Sequence, residues 1–447
     1  MGKEKKTIDG PIYDARTLGT PKMLILGLQH MFAMFGATVL VPALTGLDVA
    51  TTLLFAGLGT LLFHLITKRQ VPAFLGSSFA YLAGYWAIAP NKEANLLPYA
   101  CFAVAVSGLM YVILAAIIKT AGVKKVMRFF PPIVTGPIII AIGLILSSSA
   151  INNCNANPIV AIVAVLVVIA CNMWGKGMIK IIPILIGVAV SYILSMVVDP
   201  ASREAVVTSV SQAAWIGVPI HTEATVFGLF TNGVDTGLLI TAIITIVPLA
   251  IATMMEHIGD ICAISSTVGK NFLVEPGLHR TLMGDGIATA VASLFGAPAN
   301  TTYGENTGVL ALSKVYDPKV IRLAALFAIV LSFCPKFAAL ITAMPAATIG
   351  GVSLVLYGMI SAVGVRNVVE NKVNFSNTRN VIIAALILVL ALGISTSAAG
   401  SFQIGSISLS GLAVGSIVGI LLNAILPGKD YEFGVDPQGD TAVNFKV

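Results

Sequence analysis

Apolar residues run along this chain in long blocks separated by short polar breaks. Met23–Leu44, Ile159–Trp174, Leu238–Met254 and Val381–Gly393 are clear examples. A helix that crosses a bilayer needs roughly 20 mostly apolar residues, and on that criterion the pattern predicts about 14 spans. They are expected at 21–45, 49–67, 71–90, 97–120, 126–149, 157–174, 179–198, 236–258, 281–297, 299–313, 317–341, 345–364, 378–397 and 409–427. The longest connection, 200–235, is poor in basic residues and is expected outside. Two spans are poor helices. Val71–Phe79 contains Pro72 and the cluster Gly76-Ser77-Ser78, and Ala297–Gly308 is polar and interrupted by glycine. Helix breakers at membrane depth are tolerated only where the freed backbone is buried in protein or lines a cavity. Broken segments at matching positions of two halves point to a transporter's binding site. The positions do match: Gln29-His30 and Glu256-His257 are 227 residues apart, as are Ser78 and Glu305. Phe130-Pro131-Pro132 and Met344-Pro345 each lead to a glycine five residues after the first proline, Gly136 and Gly350. Seven spans followed by seven is an odd-numbered repeat, which inverts topology.

Composition agrees with the pattern. The 447 residues are 57% hydrophobic and only 10% charged, against about 45–50% and 25% in soluble domains. The chain is therefore expected to be an all-α polytopic membrane protein. Its net charge of +6 does not indicate nucleic acid, because the cations are segregated. With the N-terminus inside, all of the 26 Lys and Arg except Lys92, Arg203 and Lys336 fall in cytoplasmic segments, the positive-inside pattern. Both termini are thus expected in the cytoplasm. The polar first 20 residues, broken by Gly10, Pro11 and Gly19, do not form a cleavable signal peptide. The five cysteines are scattered and form no CxxC, so small-residue packing is expected of them rather than metal or disulfide chemistry. Neither a phosphate-binding Gly-x4-Gly-Lys-Ser/Thr loop nor an HExxH motif occurs, so neither nucleotide hydrolysis nor zinc proteolysis is expected. No metal site or cofactor is expected, and the protein is not expected to be an enzyme.

Carboxylates in so apolar a chain are functional candidates by default. Glu256 has no Lys or Arg nearby in its span and can accept hydrogen bonds from ring N–H groups. Asp260 follows at i+4, on the same helix face. Two like charges in a dry site can hold one proton between them and titrate as a unit. Three readings of Asp260 stand: a proton relay with Glu256, a helix-end residue in cytoplasmic water near Lys270, and half of a sodium site, since oxygen ligands suit hard cations. His257 lies about 100° around the helix from Glu256 and is expected to be structural. Asp285, in Gly284-Asp285-Gly286, opens its span and is expected to cap it. His30 either hydrogen-bonds across to the tenth span or packs neutral in the core.

Several ordered strings closely resemble the bacterial uracil permeases of the nucleobase–ascorbate transporter family. They are Gln29-His30 with Phe35–Pro42, Pro72–Ala80, Glu256-His257-Ile258-Gly259, Pro276–Arg280, Asn300–Gly308 and Gly350-Gly351-Val352-Ser353. The resemblance covers about residues 20 to 427. It implies two inverted seven-span repeats, with broken spans 3 and 10 each supplying a short strand and a half-helix. The core domain would comprise 21–125 and 236–343, and the gate domain 126–235 and 344–428. Residues 1–20 and 429–447 would be cytoplasmic tails. The resemblance implies substrate contacts from Glu256 and Glu305, from backbone N–H groups at Phe79 and Gly304, and from Tyr303. Tyr357 would face the substrate from the gate, and Ala37 and Ser78 would pack against a flat ring. Glu305 would also lie in the proton path with Glu256, Asp260 and His30. Glu305-Asn306-Thr307-Gly308 has the Glu-Asn-x-Gly form of uracil-type members, and Ser313 keeps the hydroxyl of the usual closing Thr. Asp260 is a departure, since uracil permeases usually carry His there.

The function expected on these grounds is proton-coupled import of uracil across the cytoplasmic membrane by alternating access, as a homodimer joined through the gate domains in membrane lipid. The coupling ion expected is H+ rather than Na+. The alternatives are a symporter of xanthine or another nucleobase, and an anion channel or exchanger on a similar fold. The latter would want a cationic midplane site, where this sequence has carboxylates.

Overall fold

The structure, a computed structural model, describes residues 10–404 and 407–431. Helices dominate. The first four spans are α1 (Thr20–Thr45), α2 (Val49–Ile66), a broken segment, and α4 (Leu97–Ala121). The broken segment is the strand β1 (Leu75–Ser77), a 3-10 turn at Phe79–Tyr81 and α3 (Leu82–Ile88). The short basic α5 (Val123–Met127) leads to α6 (Pro132–Cys154), α7 (Pro158–Trp174), the single turn α8 (Met178–Ile181) and α9 (Pro183–Val198). Then come α10 (Pro200–Gln212), α11 (Val226–Asn232), α12 (Thr236–Ile246), α13 (Ala250–Val268) and α14 (Leu278–Leu294). The second broken segment is β2 (Asn300–Thr302) followed by α15 (Gly304–Ser313). The chain continues through α16 (Pro318–Ser332), α17 (Pro335–Thr342), α18 (Ala346–Glu370), α19 (Thr378–Thr396), β3 (Ser401–Ile404), β4 (Ile407–Ser410) and α20 (Gly411–Ile425).

Among the described residues, seven helices are long and apolar enough to cross a membrane, or up to nine if each bent pair is one span. Prolines explain both bends. Pro200 opens α10 at 114° to α9, and Pro335 opens α17 at 87° to α16, because a proline ring clashes with the carbonyl four residues back. The expected external loop 200–235 therefore contains helices, and the expected span 317–341 is broken. The eighth span differs most. Expected to end at 258, it continues to Val268 as one 33-residue run, Thr236–Val268, so Gly259 and Asp260 lie inside it. The β3–β4 hairpin, paired Ser401↔Ser410 to Ile404↔Ile407, had no counterpart in the expected elements.

Helix α14 packs on α4 and α2, α16 on α1 and α2, and α18 on α6 and α7. Small residues permit the closest of these approaches. A Cβ at Gly108 of α4 would meet the Gly286 carbonyl of α14 at 2.6 Å. The N-terminal segment is tied to one end of the bundle. Ile12 bridges to Val315, the Tyr13 hydroxyl donates to the Val268 carbonyl at 2.8 Å, and Ala15 N donates to Asp317 at 2.8 Å. Lys270 lies 4.7 Å from the Tyr13 ring centroid.

Candidate functional site

The two broken spans meet edge to edge. β1 and β2 pair antiparallel, Leu75 with Thr302, Gly76 with Thr301 and Ser77 with Asn300. Flanking bonds from Ser78 N to the Ala299 carbonyl, 2.9 Å, and from Tyr303 N to the Phe74 carbonyl, 3.0 Å, extend the ladder. A two-stranded ribbon inside a membrane protein has two open edges, and each unsatisfied backbone group there is costly. Helices α2 and α14 close them. Thr60 accepts from Leu75 N at 2.9 Å, a ring nitrogen of His64 bonds the Ala73 carbonyl at 2.8 Å, and Thr289 donates to the Asn300 carbonyl at 2.7 Å. Asn300 Nδ2 reaches the Phe55 carbonyl at 3.0 Å, passing over Gly59, where a Cβ would collide with it.

Helix α13 lies across the β2 end of this ribbon. Thr302 Oγ1 donates to Asp260 Oδ2 at 2.9 Å, and a Cβ built on Gly304 would sit 3.6 Å from Asp260 Oδ1. The carboxylate is therefore at the N-terminus of α15, where exposed N–H groups and the helix dipole favour an anion. That geometry argues against the reading of Asp260 as a solvated helix end near Lys270. Neighbouring side chains of α13 hold the helix in place. His257 Nδ1 is 3.1 Å from Asp285 Oδ2, both side chains fully buried, and the Tyr81 hydroxyl contacts Ser107 and lies 3.3 Å from Thr253. His257 Nδ1 is also 3.4 Å from Thr302 Oγ1. Asp285 corrects an expectation. It lies in the third turn of α14, paired with His257, and does not cap the helix, because that helix begins earlier, at Leu278.

Glu256 is half-buried one turn before Asp260 on the same face. Gly259, Gly304 and Gly308 are exposed, and nothing lies within 4 Å of a Cβ built at Gly259 or Gly308. In a chain packed as closely as this one, that marks open space between α13 and α15. Glu305 is the second residue of α15, and its side chain lies outside the described residues.

The other residues singled out in the sequence surround this point. The backbone and Nδ1 of His30 meet Asn306 Nδ2 at 3.0 and 3.2 Å, linking α1 to α15. Ala37 and Ser78 are buried. Phe79 opens the 3-10 turn, and its ring makes a T-shaped contact with buried Tyr357 of α18, centroids 6.0 Å apart. The Tyr303 hydroxyl turns into the ribbon, donating to the Ser77 carbonyl at 2.8 Å and accepting from Thr38 Oγ1 at 3.3 Å. Thr302, Thr253 and Tyr81 are site-forming residues to which the sequence reading gave no role. Thr302 had only the polarity of its segment to mark it.

A multi-pass helical membrane protein in which two interrupted spans pair through short strands, and one of them sets a half-helix N-terminus against a carboxylate of a third helix, is built as a transporter. Comparison with known proteins narrows the class. Residues 21–400 match the family described as "Permease family". The chain is 41% identical to the uracil permease of Bacillus caldolyticus over 94% of each chain. It is 39% identical to that of Bacillus subtilis (strain 168), over 96% of this chain and 97% of that one. With the uracil permease of Escherichia coli (strain K12) the identity is 38% over 90% of each. The chain belongs to this permease family, the nucleobase–ascorbate transporters. It is a membrane transporter and not an enzyme. Among solved structures, the transmembrane domain of the cyanobacterial bicarbonate transporter BicA matches with TM-score 0.60 at 14% identity, covering 93% of this chain and 99% of that one. The murine Solute Carrier 26 family member A9 anion transporter, in its inward-facing state, matches with TM-score 0.60 at 11% identity, covering 94% and 73%. Those two likenesses show the fold alone.

Proposed function

We propose that the protein is a proton-coupled symporter that imports uracil across the cytoplasmic membrane by alternating access. The observation that carries this reading is the Asp260–Thr302 contact. It sets the Glu256–Asp260 face of α13 against the opening turn of α15 at an open gap. Carboxylate acceptors then stand beside backbone donors, which complements a planar ring with two N–H groups and two carbonyls. Relatives named as uracil permeases over nearly the whole chain supply the choice of ring, together with the Glu305-Asn306-Thr307-Gly308 form of the signature. In this reading Glu256 is the principal ligand, and Phe79 and Gly304 lend backbone N–H groups. Tyr357 closes the site from the gate, and Glu256, Asp260, Glu305 and His30 carry the proton path.

The β register supports two inverted repeats of seven spans. Leu75 pairs with Thr302, and 302 − 75 = 227, the offset that relates Ser78 to Glu305. A twofold axis with that offset runs between those two residues. Core segments 21–125 and 236–343, gate segments 126–235 and 344–428, cytoplasmic termini and a gate-to-gate homodimer complete the architecture we propose.

The stripe of half-exposed or exposed residues Glu256, Gly259, Asp260, Ala263, Ser266, Thr267 and Lys270 on and just past α13 faces a similar stripe, Gly304, Gly308, Ala311 and Leu312, on α15. Both lead toward the lysine-rich end of the bundle, which favours an inward-facing state. One proton falling through about 100 mV supplies about 2.3 kcal/mol, somewhat over a tenfold accumulation of a neutral solute. The test is labelled-uracil uptake into proteoliposomes under an imposed pH gradient, with xanthine as competitor. Uptake that ignores pH and follows a sodium gradient refutes the coupling, and xanthine uptake in preference to uracil refutes the substrate.

A further inference from the structure

A second cleft, lined by residues outside the proposed site, lies at the basic end of the bundle. The link α5, the start of α6, the start of α19 and the chain just past α20 enclose a cleft of about 410 Å³. Its lining includes Lys124, Lys125, Arg128, Arg379 and Lys429, with Asp430 as the one carboxylate among the described residues. The ion pairs made by Asp14, Asp285, Asp317 and Glu370 involve none of these cations.

Arg379 gives the cleft a fixed wall. It is 7% exposed, and its guanidinium donates to neutral acceptors: Asn423 Oδ1 at 2.6 Å, Asn423 O at 2.9 Å, Asn380 Oδ1 at 3.2 Å and Leu426 O at 3.3 Å. These bonds hold its position through neutral acceptors, with the Asp430 carboxylate near enough to act on its charge. Asp430 is engaged elsewhere, accepting from Asn380 Nδ2 at 2.7 Å and Asn377 Nδ2 at 3.4 Å. Asn423 Nδ2 in turn donates to the carbonyls of Arg128, 3.1 Å, and Phe129, 3.3 Å, which fixes the α5–α6 link against α20. Pro131 and Ile133, also in the lining, belong to the opening turn of the 23-residue α6, whose dipole adds positive potential. A cleft with five cations, a helix N-terminus and an ordered arginine wall is complementary to a compact multivalent oxyanion.

We propose that this cleft binds a phosphate group, presented either by an anionic phospholipid headgroup or by a soluble phosphate ester. A lipid could reach it from the bilayer. Phe129, next to Arg128, is 49% exposed, as an interfacial anchor would be, and basic pockets between spans on the cytoplasmic side are a recognised setting for anionic headgroups.

The experiment uses the purified full-length protein, delipidated in detergent. Phosphatidylglycerol is titrated against phosphatidylcholine by native mass spectrometry, and thermal unfolding is followed with inorganic phosphate and with uridine monophosphate. The variant Lys124→Gln/Lys125→Gln/Arg128→Gln should weaken binding of the anionic probe by roughly 100-fold, since each cation near an anionic surface contributes about fivefold. Lys124→Arg/Lys125→Arg/Arg128→Lys should retain it, and so should Lys176→Gln/Lys180→Gln in a different loop. Selective retention of phosphatidylglycerol that soluble phosphates do not displace identifies a lipid headgroup. Displacement by them, or a thermal shift with them alone, identifies a soluble ester. Wild-type affinity in the triple Gln variant, equal loss in the Lys176/Lys180 variant, or no binding of any anionic probe overturns the proposal. If the triple variant is not monodisperse, Lys429→Gln decides by the same criteria.

Discussion

The Thr302 hydroxyl is the smallest group on which the proposed site depends. Thr302→Val keeps the volume, the branching at Cβ and the strand preference of the residue, and removes the hydroxyl that donates to Asp260 and lies 3.4 Å from His257 Nδ1. The lost bond is 2.9 Å long and runs to a carboxyl group. Hydrogen bonds to charged groups contribute about 1.5–3 kcal/mol. Asp260 is half-buried, so water can replace part of the donor, and the lower half of that range applies. If Asp260 must be held at the α15 N-terminus for Glu256 to meet the substrate, uracil affinity should fall about 10- to 30-fold. Thr302→Ser keeps the hydroxyl and should stay within about threefold of wild type. Asp260→Asn keeps an acceptor for Thr302 and should lose less affinity than Thr302→Val does. The double variant should be less than additive, with about 1 kcal/mol of coupling, because both changes act on one interaction, Thr302→Val by removing its donor and Asp260→Asn by weakening its acceptor. The assay is equilibrium binding of labelled uracil to purified protein, with initial uptake rates in proteoliposomes alongside. Wild-type affinity in Thr302→Val, or equal losses in Thr302→Val and Thr302→Ser, would refute the reasoning. The first outcome would leave Asp260 a bystander, and the second would trace the effect to the strand.

Four further outcomes follow from the same structure. Glu256→Gln, which replaces an acceptor oxygen by a donor amide, should weaken uracil binding at least about tenfold, or 1.4 kcal/mol; unchanged binding by folded protein removes Glu256 from the site. Glu305→Gln should slow uracil uptake and admit purines in competition assays, and a variant with wild-type uptake and selectivity contradicts the reading of its signature. Gly59→Ala should displace Asn300 Nδ2 from the Phe55 carbonyl and lower thermal stability by about 1–3 kcal/mol, whereas Gly308→Ala, facing open space, should leave the melting temperature unchanged. A cysteine at Gly308 should react with a charged thiol reagent applied from the cytoplasmic side and be protected by uracil; labelling only from outside would reverse the assigned open face.

Periodicity and breakers made much of the scaffold legible. Runs of apolar residues marked the spans, and Pro72, Gly76 and Gly304 marked the two interruptions. What remained hidden was mostly a matter of length and partnership. The helix through Glu256 continues to Val268 because nothing between Gly259 and Thr267 is a strong enough breaker to end it once both faces are packed, although its polarity resembles that of a helix end. Asp285 resembled a cap because glycines flank it. Only the fold reveals His257 opposite it, at 3.1 Å. Thr302 and Asp260 are 42 residues apart in sequence, and no local pattern links them. The β3–β4 hairpin escaped notice because its strands, Ser401–Ile404 and Ile407–Ser410, have only four residues each, too few for their alternation to stand out between two apolar spans.

The broken spans also bear on what kind of solute the site is fitted to. A helix N-terminus at the centre of a membrane protein attracts anions by default, since its first N–H groups have no partner in the helix and its dipole is positive there. Two solved proteins with this fold are described as a bicarbonate transporter and an anion transporter. In the present chain an anion is already built in. Asp260 of α13 brings its carboxylate to the opening turn of α15 and is tethered there by Thr302. The dipole is then compensated from within the protein, and a second negative charge arriving with the substrate would meet both Asp260 and Glu256. A neutral solute avoids that repulsion. If its ring carries N–H donors for the carboxylates and carbonyls for the remaining backbone donors, it uses every group left over at the crossing. If these carboxylates also carry the coupling proton, as proposed, a fixed acid at this helix end links the choice of a neutral substrate to the choice of a coupling ion.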